Sequence, residues 1–196
     1  MFVESNGIKK TSPLNVLQLL SRKHCSLGDD LWWQTIRLEG TPLIIDTIGE
    51  YSELLFLWRE PSKAPESNVE DVFIEINGVT DHHCFNMAKL SHIKGTDVWT
   101  YNTKIKSTWR GGYAFIPVSK SQVQPNYQGS LQEQKMQHRQ WLRSIFPLSQ
   151  PDDFNPQRLL HCEWGSTKTP LHMPHALPQI EWRPFDTLSG AKSEKC

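Results

Sequence analysis

The chain has 196 residues and a mass of 22.7 kDa, enough for one substantial core. Lysine and arginine together number 21, as do aspartate and glutamate, so no global field draws in nucleic acid or an anionic membrane. An apolar share of 37% with thirteen prolines points to much irregular backbone, and no run has the apolar length that spans a bilayer.

Met1 to Asn15 carries no apolar signal-peptide core, and Cys25, Cys84, Cys162 and Cys196 form no C-x-x-C pair. Both features predict free thiols in a reducing cytoplasm. Ser12-Pro13 ahead of Leu14, Leu17 and Leu20 predicts a short N-terminal helix, with Arg22, Lys23 and His24 at its C-terminal end. Gly28-Asp29-Asp30 is expected to break it. Leu31 to Ile45, interrupted at Gly40-Thr41-Pro42, reads as two short extended segments about a turn.

The continuous apolar run Leu54 to Trp58, stopped by Arg59-Glu60-Pro61, predicts a central strand. Ser62 to Asp71 reads as a loop. Val72 to Ile76 alternates with Val72, Ile74 and Ile76 on the core face, then turns at Asn77-Gly78. Ala88 to Ile93 is expected to hold another short strand. Val98 to Ile105 places Trp99, Tyr101, Thr103 and Ile105 on one face. With Tyr113 to Val118 it predicts a β-hairpin whose loop, Lys106 to Gly112, is aromatic and cationic. Trp58 and Trp99 are expected in the core; most of the eight tryptophans read as packing, with an aromatic recognition surface as the alternative.

Ser130 with Glu133 predicts a capping box. Met136, Trp141, Leu142, Ile145 and Phe146 form the apolar stripe of the helix that follows, and Pro147 ends it. From Pro151 onward recurrent prolines suggest a wrapping or linker segment. The expected architecture is mainly β: an Ig-like (E-set) β-sandwich with a short N-terminal helix, a C-terminal helix and a Pro-rich tail. Residues 1–157 form the domain and 158–196 a linker.

No nucleophile elbow, Walker loop or dinucleotide glycine loop occurs in the chain. Asp81-His82-His83-Cys84 is the most metal-like cluster, with His161-Cys162 and His172-x-x-His175 as possible recruits, but the spacing is not that of a zinc finger. Loop histidines and a turn closed by Asp81 are the preferred reading, with no metal site. Trp109 and Arg110 are the best binding candidates, an indole for stacking and a guanidinium for anionic oxygens; a tryptophan folded back over the sandwich end is the alternative.

Five motifs recur in order: Phe56-Leu57-Trp58-Arg59, Ile76 to His83, Gly95-Thr96-Asp97-Val98-Trp99, Trp109 to Pro117, and Asp153-Phe154-Asn155-Pro156. From about Leu31 onward the chain resembles the N-terminal domain of enterochelin (ferric enterobactin) esterases. The resemblance implies a substrate-binding Ig-like module of a cytoplasmic system that releases iron from a ferric catecholate trilactone. It implies an α/β-hydrolase domain or subunit as partner, which would hold the catalytic residues, and no cofactor beyond the iron of the substrate. Neither nucleic acid nor membrane is expected as a partner. Arg59, Trp109 and Arg110 are the candidate ligand contacts. Two departures stand out: Asp153-Phe154 where the family usually has Asp-Pro-Leu, and Gly112 where it usually has serine. A stand-alone Ig-like module, for carbohydrate or another ligand, and a truncated esterase remnant are the other readings.

Overall fold

The computed structural model describes residues 20–21, 25–61, 67–157 and 167–177. Of the expected N-terminal helix only Leu20 and Ser21 lie among them; both are helical and Leu20 is buried.

Seven strands among the described residues form two antiparallel sheets. The first has the order β1 (Leu43–Ile48), β2 (Tyr51–Arg59), β5 (Val98–Lys106), β4 (Ser91–His92). The second has the order β3 (Val69–Ile76), β6 (Arg110–Ser119), β7 (Thr169–His172). Their inner faces meet in one core. Leu54, Phe56, Trp58, Trp99 and Ile105 from the first sheet pack with Val72, Ile74, Ile76, Tyr113 and Phe115 from the second. The alternation expected for β3 and for the odd-numbered face of β5 is therefore present.

Each outer face is covered as well. Helix α1 (Asp30–Glu39) buries Trp32, Trp33 and Ile36 against Leu55, Leu57 and Val98 of the first sheet. Helix α2 (Leu131–Ile145) and the 3-10 segment His82–Ala88 cover the second, where Phe73 stacks on Phe85 and meets the edge of Trp141. Two-sided burial is why Leu54 to Trp58 reads as an unbroken apolar run.

Four expectations need correction. Leu31 to Glu39 is helical, not extended, and Asp29 is the cap of that helix: its Oδ1 accepts from Trp32 N at 2.6 Å. Gly40, at φ +78, closes the helix with N–H to Ile36 O at 2.8 Å, a backbone that suits glycine. Second, β5 and β6 are not a hairpin. They belong to opposite sheets, and Lys106 to Trp109 carries the chain from one to the other. Third, the strand before Ile76 begins at Val69, inside the expected loop. Fourth, the proline-rich stretch contributes β7, whose Tyr113↔Thr169 and Arg110↔His172 pairs complete the second sheet. On α2 the capping box is present, with Ser130 N donating to Glu133 Oε2 at 2.7 Å. Trp141, Leu142 and Ile145 are buried, whereas Met136 is exposed.

Candidate functional site

The C-terminal end of β2 lies against the N-terminal end of β5, and the turn Gly95–Asp97 before β5 places one buried carboxylate there. Asp97 Oδ1 accepts from Trp33 Nε1 at 2.8 Å and Oδ2 from Arg59 Nε at 2.8 Å. Its own carbonyl accepts from Glu60 N at 2.8 Å. Arg59 Nη2 reaches Asp30 Oδ1 at 2.5 Å on the first turn of α1. Burial works against the Arg59 charge, but these bonds to Asp30 and Asp97 outweigh it and hold its pKa above the ordinary value. Gly28 is needed beside this clasp: a Cβ there would sit 2.7 Å from Asp97 Oδ1, and φ is +81.

Four flat groups stack through the same end. The Arg59 guanidinium lies 5.6 Å from the Trp33 ring centre, Trp33 is 4.7 Å from Phe154 at 24°, and the Arg37 guanidinium is 4.8 Å from Phe154. Arg37 Nη1 also donates to Asp153 O at 3.0 Å. Between the arginines opens a cleft of about 400 Å³, walled by Trp58, Pro61, Pro151 and Phe154. A second, larger pocket of about 610 Å³ is lined by Asp29, Glu60, Glu70 and Asp97 with the stacked rings of His92 and Trp99.

Below the cleft, Asp152 ties four segments together. It accepts from Tyr113 OH at 2.6 Å, Thr41 Oγ1 at 2.7 Å and Phe154 N at 2.9 Å, while its own N donates to Thr169 Oγ1 at 2.7 Å. Burial raises its pKa despite those bonds, and burial beside this carboxylate raises Tyr113 far more. Asn155 Nδ2 adds bonds to Thr41 O and Pro170 O at 2.7 and 3.3 Å.

The other two candidates sit elsewhere. Tyr51 pairs with Lys106 and Arg59 with Val98, so β2 separates Arg59 from the Trp109 end by about 25–30 Å. One ligand of siderophore size does not touch both. Trp109 is folded back, partly buried against the core, with its ring over Gly111, where a Cβ would come within 2.4 Å. Arg110 donates through Nη2 to Leu177 O, and its Nε is buried without an acceptor. Facing His172 across β6 and β7, it combines with burial, the larger cause, to lower that histidine's pKa. Among the described residues no group of three or more His, Cys, Asp and Glu stands in metal-binding arrangement. Asp81 Oδ1 accepts from His83 N at 2.8 Å, as the turn reading requires; His161 and Cys162 lie outside the described residues.

Sequence reading missed Trp33, Arg37, Asp97 and Phe154 as site residues. Asp97 carried a signal, lying between paired small residues and a tryptophan inside Gly95 to Trp99. Arg37 was hidden by the extended reading of α1.

These features define a mainly β module: two antiparallel sheets, helices on both outer faces, and polar groups built into clasps and a cleft. Residues 53–182 match the family model of the enterochelin esterase N-terminal domain. The chain belongs to that family. It is 36% identical over 160 residues to an iron(III) enterobactin esterase of Dickeya dadantii, covering 81% of this chain and 36% of the relative. The corresponding enzyme of Escherichia coli K12 is 30% identical over 166 residues, covering 80% and 38%. Among solved structures, the enterobactin esterase FES of Shigella flexneri in the presence of enterobactin superposes with a TM-score of 0.65 at 30% identity, over 81% of this chain and 38% of that one. The chain thus spans less than half the length of these relatives.

Proposed function

We propose that this chain is the substrate-binding N-terminal module of a cytoplasmic ferric siderophore esterase system that releases iron from a catecholate trilactone, and that it is not catalytic by itself. The observation that carries the proposal is the family match over residues 53–182. The relatives' names, enterobactin esterases, supply the substrate class. The strand orders β1-β2-β5-β4 and β3-β6-β7 support an Ig-like sandwich, since constant-type Ig domains order their strands ABED and CFG. Ester chemistry needs a positioned nucleophile, base and oxyanion donors. In this reading they belong to an α/β-hydrolase partner or domain, and iron enters only with the substrate. Of the candidate contacts, this reading keeps Arg59, which lines the cleft; Trp109 and Arg110 lie at the opposite end, beyond reach of the same ligand, packed over Gly111 and bonded to Leu177 O.

The test is quenching of tryptophan fluorescence by the ferric trilactone, run beside a chromatographic assay of ester hydrolysis. Saturable quenching is expected, with no turnover by the chain alone and turnover once the C-terminal part of a related esterase is added. Turnover by the chain alone that disappears on one Ser→Ala change, or no saturable quenching, overturns the proposal.

A further inference from the structure

We propose that the outward face of α2 docks an acidic helix of a partner protein, with Lys135, Arg139 and Arg143 as the row that meets its carboxylates. This surface lies outside the clasp and cleft described above, and its reading does not rest on the proposed function.

Buried Trp141, Leu142 and Ile145 seat the helix on the second sheet, so its opposite side is turned outward. Lys135, Arg139 and Arg143 recur there at i, i+4 and i+8, and all three are exposed. Residues four apart are neighbours on a helix, so the cations form a row about 12 Å long at about 6 Å spacing. Like charges so placed destabilise a helix, and none of the three has an acid three or four positions away to offset them. Nor has any of them a hydrogen-bond or ion-pair partner among the described residues. Glu133, the one carboxylate of the helix, is turned back into its cap, accepting from Ser130 N at 2.7 Å and Ser130 Oγ at 2.8 Å. From Ser119 to Ile145 the cations Lys120, Lys135, Arg139 and Arg143 are set against that single acid, in a chain whose charges balance as a whole. The helix dipole accounts for Arg143, in the last turn, but not for Lys135 in the first half.

Charge complementarity sets the partner's sign, and spacing sets its form. A facing helix with Asp or Glu at i, i+4 and i+8 repeats at the same rise of about 6 Å and stays in register along the row. The two guanidinium groups can each bind a carboxylate through paired N–H bonds. Met136, 55% exposed, sits three positions from Arg139 and seven from Arg143 and gives the contact an adaptable apolar centre. A membrane surface fits less well, because the apolar face of α2 is packed on the second sheet. Nucleic acid fits less well too, since a short row of three cations falls short of the phosphate contacts that carry such binding.

The experiment titrates a dye-labelled helical peptide, with glutamate at i, i+4 and i+8, with the full chain and follows fluorescence anisotropy at low salt. A peptide of the same composition with its glutamates spread around the helix, a single-stranded RNA and phosphatidylserine vesicles are run beside it. Native chain, Arg139→Gln, Met136→Ser and Lys104→Gln are compared, the last an exposed cation of the first sheet, with far-UV dichroism to confirm that each is folded. The row peptide is expected to bind saturably, about fivefold or more tightly than the spread one, and to weaken as salt is raised. Arg139→Gln should weaken it about fivefold and Met136→Ser severalfold, while Lys104→Gln leaves it unchanged, which a general charge effect does not produce. No saturable binding, equal binding of the two peptides, or binding unchanged in Arg139→Gln overturns the proposal. Tighter binding of the RNA or of the vesicles than of the row peptide assigns the face to that class instead and also overturns it.

Discussion

Asp97 is the residue whose loss should be felt most widely, because from just before β5 its side chain accepts from both Trp33 of α1 and Arg59 of β2. In Asp97→Ala the indole N–H of Trp33, which is 1% exposed, loses its 2.8 Å partner. An unsatisfied buried donor costs about 1–3 kcal/mol. Arg59 also loses a 2.8 Å ion pair, but its side chain is 34% exposed, so solvent screening limits that part to about 1 kcal/mol or less. The sum is about 1–4 kcal/mol, a large share of the ~5–15 kcal/mol that stabilises a domain. With a urea slope of about 2 kcal/mol/M, the unfolding midpoint should fall by about 0.5–2 M. Asp97→Asn keeps an oxygen for Trp33 and loses only the charge toward Arg59, so its midpoint should fall by less than half as much. Equal damage from the two changes, or an alanine midpoint within about 0.3 M of the native one, refutes the idea that the buried Trp33 bond dominates.

Tyr113→Phe removes a 2.6 Å donor from a buried carboxylate and should cost about 1.5–3 kcal/mol in urea unfolding; an unchanged midpoint places Asp152 outside the stabilising network. Because Asp152 has its pKa raised by burial, the native state holds that proton to higher pH than the unfolded chain does. Its contribution to stability is present below the ordinary value of 3.8 and is lost as pH rises through the folded value. Relative to Asp152→Asn, the native chain should therefore lose stability with rising pH from about 4 upward, and a gain over that window contradicts the burial argument. Gly111→Ala would put a methyl 2.4 Å from the Trp109 ring and must displace it; an indole NMR signal for Trp109 unchanged in position shows that the ring is not on Gly111.

The strands with one period and one buried face were legible, because alternation reports burial directly: Val72, Ile74 and Ile76 on β3, Trp99 and Ile105 on β5. Helix α1 was not. Its buried residues, Trp32, Trp33 and Ile36, include an adjacent pair, and Leu31 and Leu38 are exposed, so neither period is clean. The cap at Asp29 was the better signal. The supposed hairpin failed for a different reason. Two alternating runs joined by a glycine-bearing loop look alike whether they pair or cross between sheets, and only the partners decide: β2 and β4 for one run, β3 and β7 for the other. An Ig-like strand order itself separates strands five and six, so the two expectations were in conflict from the start. Arg59 was legible as a cation beside an aromatic run. Its partners were not, since Asp30 and Asp97 lie 29 and 38 positions away.

The contrast between the two ends of the sandwich bears on what the proposed binding module would contribute. At the Trp109 end the ring covers Gly111 and Arg110 holds Leu177 O, with its Nε buried and without an acceptor, so neither group faces an open cleft. At the cleft end the arginines are fixed but incompletely satisfied. Fixed donors gain orientation at the expense of raw attraction, because Asp97 and Asp30 already cancel much of the Arg59 charge. On the proposed function, the module's affinity for a ferric catecholate is then modest, and the greater part of the binding energy must arise with a hydrolase partner. A weak site held rigidly next to a catalytic one still raises the local concentration of its ligand to the millimolar range. Its effect on turnover would appear in KM more than in kcat, because an interaction made equally with substrate and transition state lowers KM and leaves the chemical step alone.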